Sequence, residues 1–264
     1  MRLSLSPKNP FSYNRYGFLW QQLSQQKPGR HLDYGCYDGN VLRTLAETNV
    51  IAEGIGVDLN ERAIHVGRPQ MPHNVQLRTL TKGAPLPFND ESFDTISILD
   101  VIEHIVDQNA ILDELQRVLT PAGTLIITVP KKHLLSILDV GNFKFIFPRL
   151  HRAVYVARHG KESYRRRYVD CENGLFGDIE QTKGWHQHFS EKAMTALLQR
   201  SNLSSCRFDG SGFFYRPLSI ASHCSPHFLR YWLSSMLSAD AKHFHSANLF
   251  CVAQKVSATL ATKA

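Results

Sequence analysis

The chain has 264 residues, 43% of them hydrophobic and 20% charged, which excludes a wholly disordered chain and supplies core material for one or two domains. Thirty Lys and Arg against 23 Asp and Glu leave a formal charge of +7, an excess that allows anionic partners and selects none. The five cysteines (Cys36, Cys171, Cys206, Cys224 and Cys251) are scattered without a CxxC pair, so neither a zinc ribbon nor a disulfide framework is expected. No run approaches the roughly 20 apolar residues of a bilayer span. Residues 1–10 lack an apolar signal core, and a reducing, cytoplasmic setting is the expectation.

His31-Leu32-Asp33-Tyr34 predicts a short strand that stops at Gly35. A helix is expected from Asn40, with Val41, Leu42 and Leu45 on one face. Ile55-Gly56-Val57-Asp58 predicts a second strand, and Asn60 caps the helix after it. Residues 75–79 and 93–99 predict a third and a fourth strand. Ile111, Leu112, Leu115, Val118 and Leu119 recur at the spacing of an amphipathic helix. Thr120-Pro121-Ala122-Gly123 is expected to break it. Residues 124–129 form a nearly continuous apolar run, the pattern of a strand buried on both faces. Strands alternating with helices imply an α/β fold, a Rossmann-like doubly wound sheet with right-handed crossovers. Such sheets bind ligands outside the carboxyl ends of their strands.

Gly35-Cys36-Tyr37-Asp38-Gly39 lies between the first strand and the first helix of that sheet. Glycine there allows a tight turn and a close ligand. Asp58 follows Gly39 by 19 residues, at the end of strand two, where a carboxylate can accept from two ribose hydroxyls. The layout suits NAD, FAD or S-adenosylmethionine. The GxxxG spacing lacks the middle glycine of the dinucleotide fingerprint, which disfavours a pyrophosphate.

Further motifs carry a resemblance. Leu32-Asp33-Tyr34-Gly35-Cys36-Tyr37-Asp38-Gly39 resembles LDxGCGxG, and Gly56-Val57-Asp58 resembles a strand-two GxD. Leu86-Pro87-Phe88-Asn89-Asp90-Glu91-Ser92-Phe93-Asp94 resembles LPFxDxSFD, and Asp100-Val101-Ile102-Glu103-His104-Ile105 resembles DVLEHI. Arg117-Val118-Leu119-Thr120-Pro121-Ala122-Gly123, leading to Val129-Pro130, resembles RVLKPGG…VP, and His188-Phe189-Ser190 resembles a late HFS. In this order they resemble the class I S-adenosylmethionine-dependent methyltransferases of the ubiquinone-pathway group. The resemblance implies S-adenosylmethionine as cofactor. It places the Gly35, Cys36 and Gly39 backbone at the methionine moiety, Asp58 on the ribose, and Asp100 beside the methionine tail or the acceptor. Adenine is expected against the backbone near Leu80 and Thr81, and Asp33, Tyr37, Leu59 and Val101 complete the expected cofactor-binding set. Three positions depart from the family pattern. Tyr37 replaces the usual middle glycine, Lys82 stands where many members carry an adenine-binding Asp, and Ala122 replaces a loop glycine.

Methyl transfer from a sulfonium is an in-line displacement, so the protein must position the acceptor and exclude water. An oxygen acceptor of high pKa also needs a base, and His188, His104 and His186 are the candidate catalytic residues. No metal is expected, because the pairs His186/His188 and His243/His245 lack a carboxylate or cysteine cluster.

Three segments follow from these motifs: an N-terminal cap over residues 1–27, a cofactor-binding domain over 28–130 and 184–255, and an inserted substrate lid over 131–183. The insertion is apolar and aromatic (Leu134, Leu135, Phe143, Phe145, Phe147) and basic (Lys131, Lys144, Arg149, Arg165, Arg166, Arg167). The aromatics Phe11, Tyr13, Tyr16, Phe18 and Trp20 are expected to close the lid from the other side. In residues 225–237, Ser225 is expected to cap a helix with Pro226 at its first position. Phe228, Leu229, Trp232, Leu233, Met236 and Leu237 then form one apolar stripe, which either packs on the domain or makes a peripheral contact with an anionic membrane. Residues 248–254 predict the closing strand of an antiparallel edge. The expected acceptor is a small or lipid-linked molecule, methylated on oxygen or carbon. Arg165-Arg166-Arg167 raises RNA or DNA as an alternative. Asp100-Val101-Ile102-Glu103 does not match the (N/D)PPY pattern of amino-adenine methylation, so nucleic acid is not the expected partner. Tyr37 and Lys82 raise a third reading, a cofactor-less scaffold. The oligomeric state has no signal in the sequence.

Overall fold

A computed structural model of the chain describes residues 10–135, 142–169, 187–244 and 246–256. After an opening helix α1 (Pro10–Gln26), its first half repeats a buried strand followed by a helix: β1 (Arg30–Tyr34), α2 (Asn40–Glu47), β2 (Glu53–Asp58), α3 (Glu61–Gly67) and β3 (Val75–Thr79). β4 (Phe93–Leu99), α4 (Gln108–Val118) and β5 (Leu119–Pro130) complete the pattern. The Asn60 cap is as predicted, and Asp107 supplies a second, unpredicted one. The Asn60 side chain accepts from the Ala63 N–H, and Asp107 accepts from the Ala110 N–H. α2 instead starts from Gly39 at φ 71°, with no side-chain cap.

The seven strands run in the order β3-β2-β1-β4-β5-β7-β6, with β6 at Leu203–Ser211 and β7 at Asn248–Lys255. β1 to β5 pair in parallel. β7 is antiparallel to both of its neighbours, and with β6 outermost it forms the expected antiparallel edge. The chain leaves β1 toward β2 and β3, then returns to β4 on the other side. That reversal opens a crevice at the carboxyl ends of β1 and β4.

The two faces of the sheet carry separate cores. One packs Leu32, Ile55, Ile96, Ile98 and Ile127 against Leu112 and Leu115 of α4 and against Met194 and Leu198 of α8 (Glu191–Arg200). The other packs Leu42, Leu45, Ile126 and Phe250 with Phe18, Leu19 and Leu23 of α1. Phe18 stacks on Phe250 at 5.0 Å between ring centres, so this aromatic enters the sheet core rather than facing the insertion. Each such buried side chain is worth about 1.5–3 kcal/mol, which makes α1 part of the domain. Phe11 and Tyr13 have no described side chains.

Three expectations are revised. The break at residues 120–123 lies within β5, as a bulge between the pairs Phe93–Leu119 and Thr95–Thr124. Ser225 does not cap the helix after it. Its hydroxyl donates to the Ala221 carbonyl of α9 (Tyr215–Cys224), and α10 (His227–His243) begins behind Pro226 without a side-chain cap. The apolar stripe of α10 divides, because Leu233 and Leu237 are buried while Phe228, Leu229, Trp232 and Met236 are exposed. Within the insertion, α5 (Phe143–Ile146), α6 (Pro148–His159) and α7 (Lys161–Tyr168) pack on one another. None of their described residues is buried. Among the described residues no helix is long and apolar enough to cross a membrane.

Candidate cofactor and acceptor site

The loop after β1 folds back onto β2. Gly35 and Cys36 both donate their N–H to the Val57 carbonyl, at 2.8 and 3.1 Å, and Gly39 donates to the Cys36 carbonyl. Sequence reasoning expected this backbone to meet the ligand. At these three positions it offers a close surface without free N–H donors, an arrangement poor for phosphate. Gly35 has φ +82°, and a Cβ there would lie 2.4 Å from Val101 Cγ2, so the turn needs glycine on both counts. Burial pushes the Cys36 thiol well above its ordinary pKa, which keeps it protonated.

Asp58 ends β2 with its carboxylate fixed by two backbone donors, Tyr37 N–H and Asn60 N–H, both at 2.8 Å. Each oxygen has further lone pairs for hydroxyl donors. Leu59 beside it is exposed, and Leu80 is half-buried with its N–H on the Asp58 carbonyl. Two apolar residues thus neighbour the acid. Thr81 and Lys82 are exposed, and the Thr81 carbonyl accepts from Ala84. Tyr37 adopts φ 54° and is 51% exposed, so its ring is not buried in the turn.

Asp33 is buried beneath the loop. The Ser97 hydroxyl donates to it at 2.7 Å, and burial pushes its pKa up to about 6. Ser97 in turn accepts from His31 Nε2, whose Nδ1 accepts from the Thr95 hydroxyl. This row joins β1 to β4 at paired positions, and burial pushes the pKa of the fully buried His31 down to about 3. Asp33 therefore supports the turn from below.

Asp100, just past β4, has φ 52° and is held by the Thr128 hydroxyl at 2.7 Å. Its second carboxylate oxygen pairs with Arg15 of α1, and this pairing raises the Arg15 pKa further. Val101 packs over Gly35. The carboxyl ends of β1, β2 and β4 are thus lined by Gly35, Asp58, Asp100 and Arg15.

Of the candidate histidines, His104 and His188 lie at the carboxyl ends of the strands. His104 closes a short 3-10 turn (Ile102–His104), 26% exposed, with Nε2 4.0 Å from the buried Glu103. The Gln187 side chain bonds Gln108, which also bonds the Ile102 carbonyl. Phe189 N–H donates to the Pro130 carbonyl, and Lys132 N–H donates to Phe189. These bonds bring His188 to the ends of β4 and β5. His186 lies outside the described residues. A histidine that sequence reasoning passed over, His133, lies near His188 and Arg216, and burial first, then these neighbours, push its pKa down to about 4. Its Nδ1 accepts from the Leu135 N–H, which leaves the Nε2 proton as a donor.

Over residues 14–205 the chain matches the methyltransferase-domain family. It belongs to that family. A ubiquinone biosynthesis O-methyltransferase of Alkalilimnicola ehrlichii is 26% identical over 142 residues, 51% of this chain and 57% of that protein. A demethylmenaquinone methyltransferase of Roseiflexus castenholzii is 30% identical over 129 residues, 48% of this chain and 54% of that protein. The chain therefore spans about half the length of the curated relatives it matches. Its fold matches that of an S-adenosylmethionine-dependent methyltransferase from Mesorhizobium loti, with a TM-score of 0.53 at 14% identity, covering 90% of this chain and 96% of that one.

Two motifs of this methyltransferase domain prove structural. Arg117 bonds the carbonyls of Leu86 and Phe88 and the carboxylates of Asp90 and Glu114, while Glu114 accepts from the Leu86 N–H. The LPF and RVL segments thus clamp each other away from the crevice. Sequence reasoning also missed Arg15 and Gly67. Arg15 is a lone cation in a helix whose aromatics predict only a cap over the insertion. Gly67 ends α3 where a Cβ would sit 2.2 Å from the Asp38 carbonyl. Neither has a local signature.

Proposed function

We propose that this domain is an S-adenosylmethionine-dependent methyltransferase acting on a small or lipid-linked acceptor, at oxygen or carbon. The observation that carries the reading is Asp58, a carboxylate oriented by two backbone N–H groups at the carboxyl end of β2, between exposed Leu59 and half-buried Leu80. Asp58 would take the ribose hydroxyls and the two leucines the adenine faces. The methionine end of the cofactor carries an ammonium and a carboxylate, and the Asp100–Arg15 pair offers one charge for each. When bound, the cofactor supplies an electrophilic methyl group on a sulfonium. His188, at the end of β5, is the first candidate to take a proton from a hydroxyl acceptor, ahead of His104. His133, with its proton on Nε2, would donate to an acceptor oxygen. The names of the two relatives, one a ubiquinone biosynthesis O-methyltransferase and the other a demethylmenaquinone methyltransferase, support an apolar aromatic acceptor.

Calorimetric titration with S-adenosylmethionine tests the reading. Saturable heat and a raised melting temperature are expected. Absence of both would leave the scaffold reading in its place.

A further inference from the structure

Residues 142–169 contain eight Lys and Arg and one acid, Glu162, a net charge of +7. That equals the formal charge of the whole chain, so the remaining residues sum to zero. The excess that composition spread over the molecule is concentrated in the hairpin of α5, α6 and α7. This hairpin has no buried described residue, yet Ile146, Phe147, Leu150 and Val154 are each close to half exposed. On α6, Leu150, Ala153, Val154 and Ala157 share one exposed face, with Arg149 and Arg158 on its two sides. The opposite face is internal to the hairpin. Tyr155 and His151 meet Tyr164 and Tyr168 of α7 at 4.7–5.9 Å between ring centres.

We propose that the α5–α7 hairpin docks the domain on an anionic lipid bilayer, with the Ile146–Phe147–Leu150–Val154 face in the headgroup boundary and the flanking arginines on lipid phosphates. An apolar stripe edged by long cationic side chains is the pattern of an interfacial helix. Two other occupants fit less well. A second copy of this chain would bring two surfaces of +7 together, a repulsion that works against a dimer through this face. A single-stranded nucleic acid would need rings to stack on, and Tyr155, Tyr164 and Tyr168 are spent on one another while aliphatic side chains lie between the cations. The α10 face carries exposed Phe228, Tyr231 and Trp232, but Arg230 there is half-buried and donates to the Ser225 carbonyl. The apolar and cationic components coincide on the hairpin. The proposal is independent of the cofactor reading, because vesicle binding and cofactor binding are measured separately.

The test is co-sedimentation with vesicles of phosphatidylcholine alone and with added phosphatidylglycerol. The full chain is expected to bind only the anionic vesicles, less tightly as salt rises. Removing two cations in the R149Q/R158Q variant is expected to weaken binding about 30-fold, at roughly fivefold per charge. The L150D/V154D variant is expected to lose at least about tenfold. Both variants should keep the wild-type melting temperature, since they touch no buried residue, and its rise with S-adenosylmethionine. Four outcomes would overturn the proposal. They are no binding of the wild type to anionic vesicles at low salt, unchanged binding of L150D/V154D together with lost binding of a W232S/F228S variant, a wild-type dimer that L150D/V154D dissociates, and tRNA binding through Arg149 and Arg158 with which vesicles do not compete.

Discussion

The strands and turns between residues 30 and 130 and the helices between 142 and 169 bury their side chains in opposite ways. In the first region every parallel strand contributes to one of two cores, and its cations close loops, as Arg117 does between the LPF and RVL segments. In the second no described side chain is buried, Arg149, Arg152, Arg158 and Arg165 are exposed, and rings hold the short helices together. The first region positions atoms for binding because each group is held from several sides. The second presents a surface. Substitutions in the first should therefore disturb binding and stability together, and substitutions in the second should leave both unchanged.

The largest effect is expected at Asp58. Replacing it with alanine removes two charge-assisted acceptors, which lowers S-adenosylmethionine affinity about 100-fold at two bonds of roughly 1.5 kcal/mol each. Calorimetry of D58A beside L150D would measure the contrast, with the second variant binding as wild type does. Equal losses would abolish the distinction between the regions.

Gly35 comes next. An alanine there forces a Cβ to within 2.4 Å of Val101 Cγ2 at φ +82°, so G35A combines overpacking with backbone strain. The expected cost is about 3 kcal/mol, a fall of roughly 10 °C in melting temperature. Y155A in the hairpin is the sharpening control. It should melt its own helices in amide exchange and leave the global midpoint in place.

The contrast also explains what the sequence could tell. Strand positions, the cap at Asn60 and the acid at Asp58 were legible because each is local: an apolar period, a capping side chain, a residue at a strand end. Arg15 was not legible because its partner lies 85 residues away, and because the helix carrying it is fixed in the core by Phe18, Leu19 and Leu23 rather than capping the insertion as expected. His133 was hidden because its environment comes from His188 and Arg216, on segments far along the chain. The α10 stripe was misread as one face because Leu233 and Leu237 turn inward while Trp232, at 61%, stays in solvent, a division set by packing that no period reports.

The His31–Thr95–Ser97–Asp33 row probes the first region more gently. H31A takes one partner from each of the Thr95 and Ser97 hydroxyls and leaves a small cavity, at a cost of about 2 kcal/mol near neutral pH. The pH dependence has a defined sign. His31 is pushed down to about 3 from 6.5, so its contribution is full above 6.5 and is lost as pH falls toward 3. Asp33 is pushed up to about 6 from 3.8, so its contribution is full below 3.8 and is lost as pH rises through 6. The two oppose each other between those limits, and H31A removes only the first. The stability gap between wild type and H31A, read from urea midpoints, should therefore narrow from about pH 6.5 to about pH 4. A gap that widens would mean His31 is charged in the folded state.

The smallest effect, at Tyr37, asks whether the first region is as closely fitted as it looks. A non-glycine residue at φ 54° costs up to about 1–2 kcal/mol, and a half-exposed ring returns little packing. Glycine relieves that strain but adds roughly 0.5–1 kcal/mol of chain entropy to the unfolded state. Y37G should therefore gain about 0.5 kcal/mol at most, a degree or two in melting temperature. Cofactor affinity should stay within about threefold, because the Tyr37 N–H that holds Asp58 survives the substitution. An affinity gain beyond tenfold would place the phenol ring in the space the cofactor needs, and the turn would then be a gate rather than a finished cradle.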